Sequence, residues 1–205
     1  MTNDARLFAP ATFRNRDPIL GVLRSHLPAK GLVLEIASGT GEHITHFARD
    51  ATPGLIFQPS DPDPDARASI DAWAVALNLA NIRPALALDA QSDTWPMTHA
   101  DFVVCINMIH IAPWAATVGL LRGAARILAQ GCTLYLYGPY RRDGSDTASS
   151  NAAFDAGLRS RNPAWGVRDL EDVTALAAEN GFSPPVIEEM PANNLSLVFK
   201  MKKSR

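Results

Sequence analysis

A segment with one carboxylate and two glycines offers the clearest site for ligand chemistry in this sequence. It reads Glu35-Ile36-Ala37-Ser38-Gly39-Thr40-Gly41 and lies between an apolar run and a helical pattern. Because glycine has no Cβ, the backbone there can approach a ligand closely, and the first turn of a helix leaves N–H groups without partners. The spacing therefore predicts a loop that binds a small ligand.

Two classes of cofactor use a loop of this kind. The dinucleotide fingerprint requires a third glycine three places after the second, and that position is Ile44. An acidic residue at a strand end followed by small-x-Gly-x-Gly is instead typical of methyltransferases, in which the backbone passes the methionine part of S-adenosylmethionine. We therefore assign to this cofactor, and to its product S-adenosylhomocysteine, the residues Glu35, Ala37, Ser38, Gly39, Thr40 and Gly41. A tight strand–helix turn without a ligand is the alternative.

Carboxylates also follow the next two predicted strands. Asp61 is placed to accept both hydrogen bonds of a ribose diol, and Asp89, followed by Ala90, is placed to accept from the adenine amino group. Taken singly, each acid is equally typical of a solvated loop or a helix cap. Because the carboxyl ends of parallel strands meet at one edge of a sheet, we expect Glu35, Asp61 and Asp89 to converge on one crevice.

The fourth predicted strand leads into candidates for the reaction itself. Asn107 and Met108 follow it, and we expect them beside the transferable methyl group. His110 is a candidate general base because imidazole titrates near neutral pH, and a packed residue at the rim is the alternative. His43 and His46 have the spacing of a metal pair, but no third ligand has suitable spacing, so no metal site is predicted.

The elements that must position these residues alternate between strand and helix. A helix is predicted from Asp17-Pro18, which combines an N-cap acceptor with a proline at the first helical position. Apolar runs predict five parallel strands, at residues 32–36, 55–57, 85–88, 102–106 and 133–137. Two last strands, 186–190 and 195–200, are close enough to pair antiparallel. The pattern predicts an α/β fold with a seven-stranded, mostly parallel sheet, a C-terminal antiparallel hairpin and helices on both faces.

Composition and charge limit the partners. The chain is 47% hydrophobic and 20% charged, which is ordinary for a globular protein, and its 205 residues suit a single domain over 1–205. A net charge of −2 and the lack of a basic stripe with interleaved aromatic residues argue against nucleic acid. No stretch suits a membrane span or a signal peptide, and both cysteines lie in apolar runs. A cytoplasmic monomer or homodimer is expected.

Further motifs resemble one known family over nearly the whole chain. They lie at residues 14–20, 33–43, 58–61, 107–114, 136–140, 150–155, 165–170 and 190–196. With these motifs the sequence resembles the DUF938 family of class I methyltransferase-like proteins, which includes the methyltransferase-like 26 proteins. The resemblance implies a Rossmann-like methyltransferase fold with S-adenosylmethionine as cofactor, and it adds Asn15 to the residues that bind the cofactor.

The resemblance also singles out material beyond the core sheet. Residues 138–168 are interpreted as a family-specific insertion over the site, and residues 1–16 as either a lid or an N-terminal tail. Tyr140 is a second catalytic candidate, and the candidates for acceptor binding are Asn151, Phe154 and Trp165. The alternative is that these residues only stabilise an unusual loop conformation and bind no acceptor.

Three functions are compatible with such a loop. The first is an active methyltransferase with a small-molecule acceptor. The second is a sensor or interaction module that binds S-adenosylmethionine or S-adenosylhomocysteine without catalysis, because both would use the same loop. The third is a nicotinamide oxidoreductase, which Ile44 at the third glycine position and the lack of a second domain oppose.

Overall fold

The computed structural model describes residues 4–146 and 148–202. Its helices are α1 (Pro10–His26), α2 (Glu42–Arg49), α3 (Pro64–Ala76), α4 (Trp114–Ile127), α5 (Ser149–Arg161) and α6 (Leu170–Glu179). Its strands are β1 (Lys30–Ile36), β2 (Gly54–Ser60), β3 (Ala100–Ile106), β4 (Leu128–Arg142), β5 (Ser145–Asp146), β6 (Arg168–Asp169), β7 (Val186–Met190) and β8 (Asn194–Lys200). No helix in this part of the chain is both long and apolar enough to span a bilayer.

The sheet has the order β2-β1-β3-β4-β8-β7. Strands β1 to β4 run parallel, whereas β8 lies antiparallel to both β4 and β7. The short strands β5 and β6 pair with the end of β4. The six strands in this order and an edge segment at residues 82–86 beside β2 together make the seven predicted strand positions of the sheet. The predicted antiparallel hairpin at the C-terminal end is confirmed.

Apolar side chains cover both faces of the sheet, as the uninterrupted hydrophobic runs of β1 and β3 require. One face packs against α1, α2 and α3 through buried residues such as Ile19, Phe47 and Ile70. The other face packs against α4 and α6 through residues such as Leu120 and Val173. The prediction of helices on both faces is therefore confirmed, and the carboxyl ends of β1 to β4 are left to form a site.

The predicted strand at residues 85–88 is wrong in detail. The segment touches β2 only through two isolated parallel bridges, Phe57 with Ile82 and Ser60 with Leu86. Pro59 faces this edge and has no N–H, so the ladder of hydrogen bonds is interrupted. The side-chain amide of Gln58 supplies the missing donor, because its Nε2 donates to the carbonyl oxygen of Pro84 at 2.8 Å.

The first helix begins eight residues before the predicted start. Pro10 occupies its first turn, and Pro18, which was expected there, lies inside the helix. Proline is favoured in the first turn of a helix, and both Pro10 and Pro18 fit that position. Only Pro18 follows a residue, Asp17, whose side chain can accept hydrogen bonds as an N-cap, and for this reason the sequence favoured Pro18 over Pro10 as the start of the helix. The residues before Pro10 lie along α3, where the Leu7 N–H donates to Ser69 Oγ at 2.8 Å and Trp73 Nε1 donates to the Leu7 carbonyl at 3.0 Å.

Candidate active site

The glycine loop joins β1 to α2 through a left-handed backbone. Ala37, Gly39 and Gly41 have φ angles of 56°, 56° and 87°. A Cβ at Gly41 would lie 2.8 Å from the Cα of Ile70, so this glycine lets the loop pack against α3. A Cβ at Gly39 would meet no atom within 4 Å. The loop therefore packs closely on one side and leaves open space at Gly39, as a ligand-binding loop requires.

Asp61 lies directly against this loop. The side chain is 7% exposed, its Oδ2 accepts a hydrogen bond from the Gly39 N–H at 2.9 Å, and its Oδ1 accepts from the Asp63 N–H at 3.0 Å. Each carboxylate oxygen has a second lone pair available for a ribose hydroxyl. Ser38 completes the junction, because its N–H donates to the Ser60 carbonyl at 2.9 Å. The structure thus brings the first two predicted carboxylate sites together.

Glu35 lies beneath the same loop and is 2% exposed. Its Oε2 has no hydrogen-bond partner among the described residues. Burial raises the pKa of Glu35 to about 8, with a smaller contribution from the negative charge of Asp61, while a hydrogen bond from Ser38 opposes the shift. A cationic ligand near this group would favour its ionised form. The sulfonium and ammonium groups of S-adenosylmethionine fit such a position.

The adenine side of the predicted site is less enclosed. Asp89 is exposed, and its Oδ1 accepts from the Gln91 N–H at 2.9 Å in a local turn. Ala90 is buried, and its carbonyl packs closely against Gly119 of α4. Asp89 therefore stands at the end of the edge segment without a contact to the glycine loop, and its role toward adenine stays a prediction.

Asn107 and Met108 follow β3 as expected. Asn107 has a left-handed backbone with φ 60°, and its N–H donates to the Tyr137 carbonyl at 2.8 Å. That conformation turns the chain sharply at the end of the strand. Met108 is 7% exposed and packs in the core of the α4 face. Of the two residues, Asn107 therefore faces the open region beside the sheet.

Asn15 connects α1 to the loop helix. Its Oδ1 lies 2.8 Å from Nε2 of His43, which is placed to donate to it. Burial lowers the pKa of His43 to about 4, so the imidazole is neutral at pH 7. A hydrogen bond from Asn15 also reaches the Tyr137 hydroxyl, where it opposes the increase in pKa that burial causes. Sequence reasoning missed Tyr137, because an aromatic residue inside an apolar strand gives no separate signal.

A cavity of about 600 Å³ opens where β3 and β4 end. The residues that line it come from α1, α5, the ends of these strands and the turn before β8: Ala11, Arg14, Asn15, Pro18, Asn107, Ile111, Tyr137, Pro139, Ser150, Asn151, Phe154, Arg161, Pro191, Ala192 and Asn194. Its volume lies in the range of small-molecule sites. The predicted residues Asn15, Asn107, Asn151 and Phe154 are brought together here.

The turn before β8 holds one wall of the cavity in a strained conformation. Ala192 and Asn193 have φ angles of 58° and 57°. Such angles are unusual for residues other than glycine, and they cost about 1–2 kcal/mol at a position like Ala192. The Nδ2 of Asn151, a residue 4% exposed, donates to the Asn193 carbonyl at 3.1 Å. Asn151 thus stabilises the turn from α5 while it also faces the cavity.

His110 and Tyr140 pack against each other beside this cavity. Their ring centroids lie 5.1 Å apart at 80°, and both residues are fully buried. Neither lines the cavity. Burial and the nearby charge of Arg168 lower the pKa of His110 to about 3.

Trp165 is half-buried and does not line the cavity either. Arg161 lines the cavity, and its guanidinium lies 5.8 Å from the centroid of the Trp165 ring.

Gly138→Ala is expected to lower the free energy of unfolding by about 1–3 kcal/mol. An added methyl group at this position would collide with the imidazole ring of His110. Urea denaturation measures the change. In a His110→Ala background the same substitution should cost clearly less, because the ring is gone, and equal costs in the two backgrounds would contradict this packing.

Comparison with known families fits this geometry. The family model described as a protein of unknown function, DUF938, matches residues 6–201. The chain belongs to the DUF938 family. The match includes the glycine loop, Asp61, α5 and the turn before β8, so every wall of the DUF938 cavity lies within the matched region.

Several solved structures to which this DUF938 protein is similar are methyltransferases. An O-methyltransferase family protein from Burkholderia thailandensis is 16% identical with a TM-score of 0.80, covering 95% of this chain and 58% of the other. The mitomycin 7-O-methyltransferase MmcR is 16% identical with a TM-score of 0.78, covering 93% and 54%. CalO1, a methyltransferase of calicheamicin biosynthesis in its S-adenosylhomocysteine-bound form, is 18% identical with a TM-score of 0.72, covering 93% and 55%.

These likenesses show the Rossmann-like methyltransferase fold. The DUF938 chain spans a little more than half the length of the three proteins. At such low identities these likenesses do not identify the residues that bind a cofactor or an acceptor. Its glycine loop, the partnerless Oε2 of Glu35 and the carboxylate of Asp61 fit S-adenosylmethionine.

Proposed function

We propose that this protein is an S-adenosylmethionine-dependent methyltransferase with a small-molecule acceptor. One observation carries the proposal: the cavity of about 600 Å³ lies beside α2, the helix that follows the cofactor loop, because its wall residue Asn15 contacts His43 of that helix. A protein that only bound the cofactor would not need an enclosed space of this size beside it. The volume suits a compact acceptor and is too small for a nucleic-acid duplex.

The bound cofactor supplies an electrophilic methyl group on a sulfonium. In the transfer, a lone pair of the acceptor forms the new bond to carbon as the carbon–sulfur bond breaks, and S-adenosylhomocysteine leaves. The chain supports this chemistry by position: Asp61 would fix the ribose, the loop at Gly39 would pass the methionine part, and the cavity would align the acceptor. The apolar side chains of Tyr137 and Phe154 would limit the access of water to the reacting atoms.

A base is needed only when the acceptor must lose a proton. His110 stays the candidate, since its lowered pKa leaves the imidazole neutral at pH 7. Because its side chain does not line the cavity, a proton would have to reach it through a water molecule. Tyr140, in contact with the same ring, would hold its orientation.

Asp61→Asn is expected to weaken binding of S-adenosylhomocysteine about tenfold or more, because the ribose loses hydrogen bonds to a charged acceptor. Asparagine keeps one side-chain oxygen for one of the two backbone N–H groups that now hold Asp61, and its shape is the same, so the fold should survive. Titration calorimetry gives the affinity, and a thermal melt confirms folding. Asp172→Asn, at an exposed site on α6, removes the same charge elsewhere and should leave the affinity unchanged.

Transfer itself is tested with the cofactor labelled on its methyl group and a library of small acceptors. Labelled product formed only in the presence of a small acceptor supports the proposal. Cofactor binding without transfer to any member would favour the sensor instead. Faster labelling of bulk RNA, DNA or protein than of any small molecule would overturn the assignment of the acceptor.

A further inference from the structure

The cavity contains two arginines and no acidic side chain. Arg14 lines it from α1 and Arg161 from the last turn of α5, while every other lining residue is neutral. Among the side chains that the structure describes, neither guanidinium forms an ion pair with a carboxylate. The space next to the cofactor loop is therefore electropositive.

Other arginines around the cavity are neutralised. Arg159 pairs with Asp155 at 2.8 Å, one turn away on the same helix as Arg161. Arg141 pairs with Asp169 at 2.8 Å, and Arg142 pairs with Glu189 at 2.7 Å. These three arginines are neutralised by carboxylates, whereas Arg14 and Arg161, which face the cavity, are not. A local excess of this kind attracts an anion.

Arg161 is also oriented. Its Nε donates to the Gly157 carbonyl at 3.3 Å, and its guanidinium lies 5.8 Å from the centroid of the Trp165 ring. These contacts leave the two terminal nitrogens available, and their planar fork matches the two oxygens of a carboxylate or phosphate. Trp165 acts here as a positioning residue, which explains why it belongs to the site without lining it.

The remaining surface of the cavity is largely apolar. Phe154, 42% exposed, lies on the same helix as Arg161, and Ile111, Tyr137 and Pro139 line the side toward the sheet. Such a surface suits a flat, apolar body. The combination selects a molecule with an apolar body at one end and an anionic group at the other.

We infer that the acceptor carries an anionic group, a carboxylate or a phosphate, which Arg161 binds. This inference rests on the proposed function, since it names the class of molecule that the methyltransferase cavity takes. Arg14 adds attraction from the opposite wall. The α-carboxylate of the cofactor is another anion that Arg161 could bind. The experiment must therefore distinguish binding of the acceptor's anionic group from binding of the cofactor's carboxylate.

The test compares isosteric probes on the protein saturated with S-adenosylhomocysteine at low salt. We expect 2-naphthoate and 2-naphthyl phosphate to bind at least about tenfold more tightly than the neutral 2-naphthamide, a difference typical of a hydrogen bond to a charged group. Ligand-observed NMR measures the three affinities. Arg161→Gln should abolish the preference. Arg126→Gln, which removes an arginine from the last turn of α4 outside the cavity, should keep it.

Equal binding of the anions and the amide, no binding of the anions, or a preference that survives Arg161→Gln would overturn the inference. A loss of affinity for S-adenosylhomocysteine in Arg161→Gln would overturn it too, because the arginine would then hold the cofactor carboxylate. If the wild type fails to bind S-adenosylhomocysteine, the proposed function fails, and the same probes without it still show whether the cavity selects anions.

Discussion

Gly39→Val should abolish binding of S-adenosylhomocysteine while the protein remains folded. The new side chain would enter the open space above the loop, where no protein atom lies within 4 Å of the Cβ position and where the methionine part of the cofactor is expected. We expect a loss of about 100-fold or more, equivalent to about 2.7 kcal/mol. Titration calorimetry on the purified variant measures it.

Gly131→Val is a matched control for this substitution. Gly131 also has a positive φ, 80°, and also has no atom within 4 Å of its Cβ position, but it lies in β4 away from the loop. Both valines should lower the free energy of unfolding by about 1–2 kcal/mol through backbone strain. Only Gly39→Val should lose the ligand. Normal affinity in that variant would mean that the loop is a plain turn.

The stability of the cofactor-free protein should reach a maximum near pH 6.5. Below this pH the unfolded chain binds protons that the folded protein does not, because burial lowers the pKa of His43 to about 4 and of His110 to about 3. Each histidine then costs about 1.4 kcal/mol of stability for each unit of pH until its folded pKa is reached. Denaturation in urea across a pH series measures the trend.

On the alkaline side the decline comes from Glu35. Because burial raises its pKa to about 8, the folded protein holds a proton that the unfolded chain, with a pKa near 4.5, has lost. The contribution of Glu35 to stability therefore falls as pH rises between these two values and is constant above the higher one, with a total cost of about 4–5 kcal/mol. Above pH 6.5 the opposing contribution of the histidines fades as the unfolded chain loses their protons, so the decline caused by Glu35 dominates.

Glu35→Gln should remove the alkaline slope, since glutamine does not titrate. Glu171→Gln, an exposed position in the first turn of α6, removes the same charge from the surface and should keep the wild-type profile. Constant stability of the wild type between pH 6.5 and pH 8, or a decline that persists in Glu35→Gln, would show that this carboxyl is not held protonated.

The contact between the glycine loop and Asp61 follows from local rules. Gly39 and Asp61 meet because a strand–loop–helix pattern and the common edge of parallel strands leave few other arrangements. The edge segment after α3 could not be derived in the same way. Its pairing depends on Pro59 in a neighbouring strand and on the side-chain amide of Gln58, which are tertiary facts.

The cavity was harder to derive than the cofactor loop. Arg161 and Ala192 come from elements distant in sequence, and a solvated arginine looks the same in the sequence as one that faces a pocket. The early start of α1 also decided which residues form a wall, because Arg14 and Asn15 lie in the part of the helix that precedes Pro18. Such positions depend on how helices pack, not on local pattern.

The place of β8 within the sheet has a consequence for biosynthesis. In the register of β4 and β8, Thr133 lies opposite Lys200 and Pro139 lies opposite Asn194. One edge of β4 therefore stays unpaired during synthesis until β8 has been made, more than fifty residues later. At about 5–20 residues per second, a ribosome leaves that buried apolar edge uncovered for several seconds. A nascent chain in this state exposes an unpaired strand, which favours chaperone binding or aggregation until the hairpin arrives. Translation speed between β4 and β8 should thus affect the yield of folded protein.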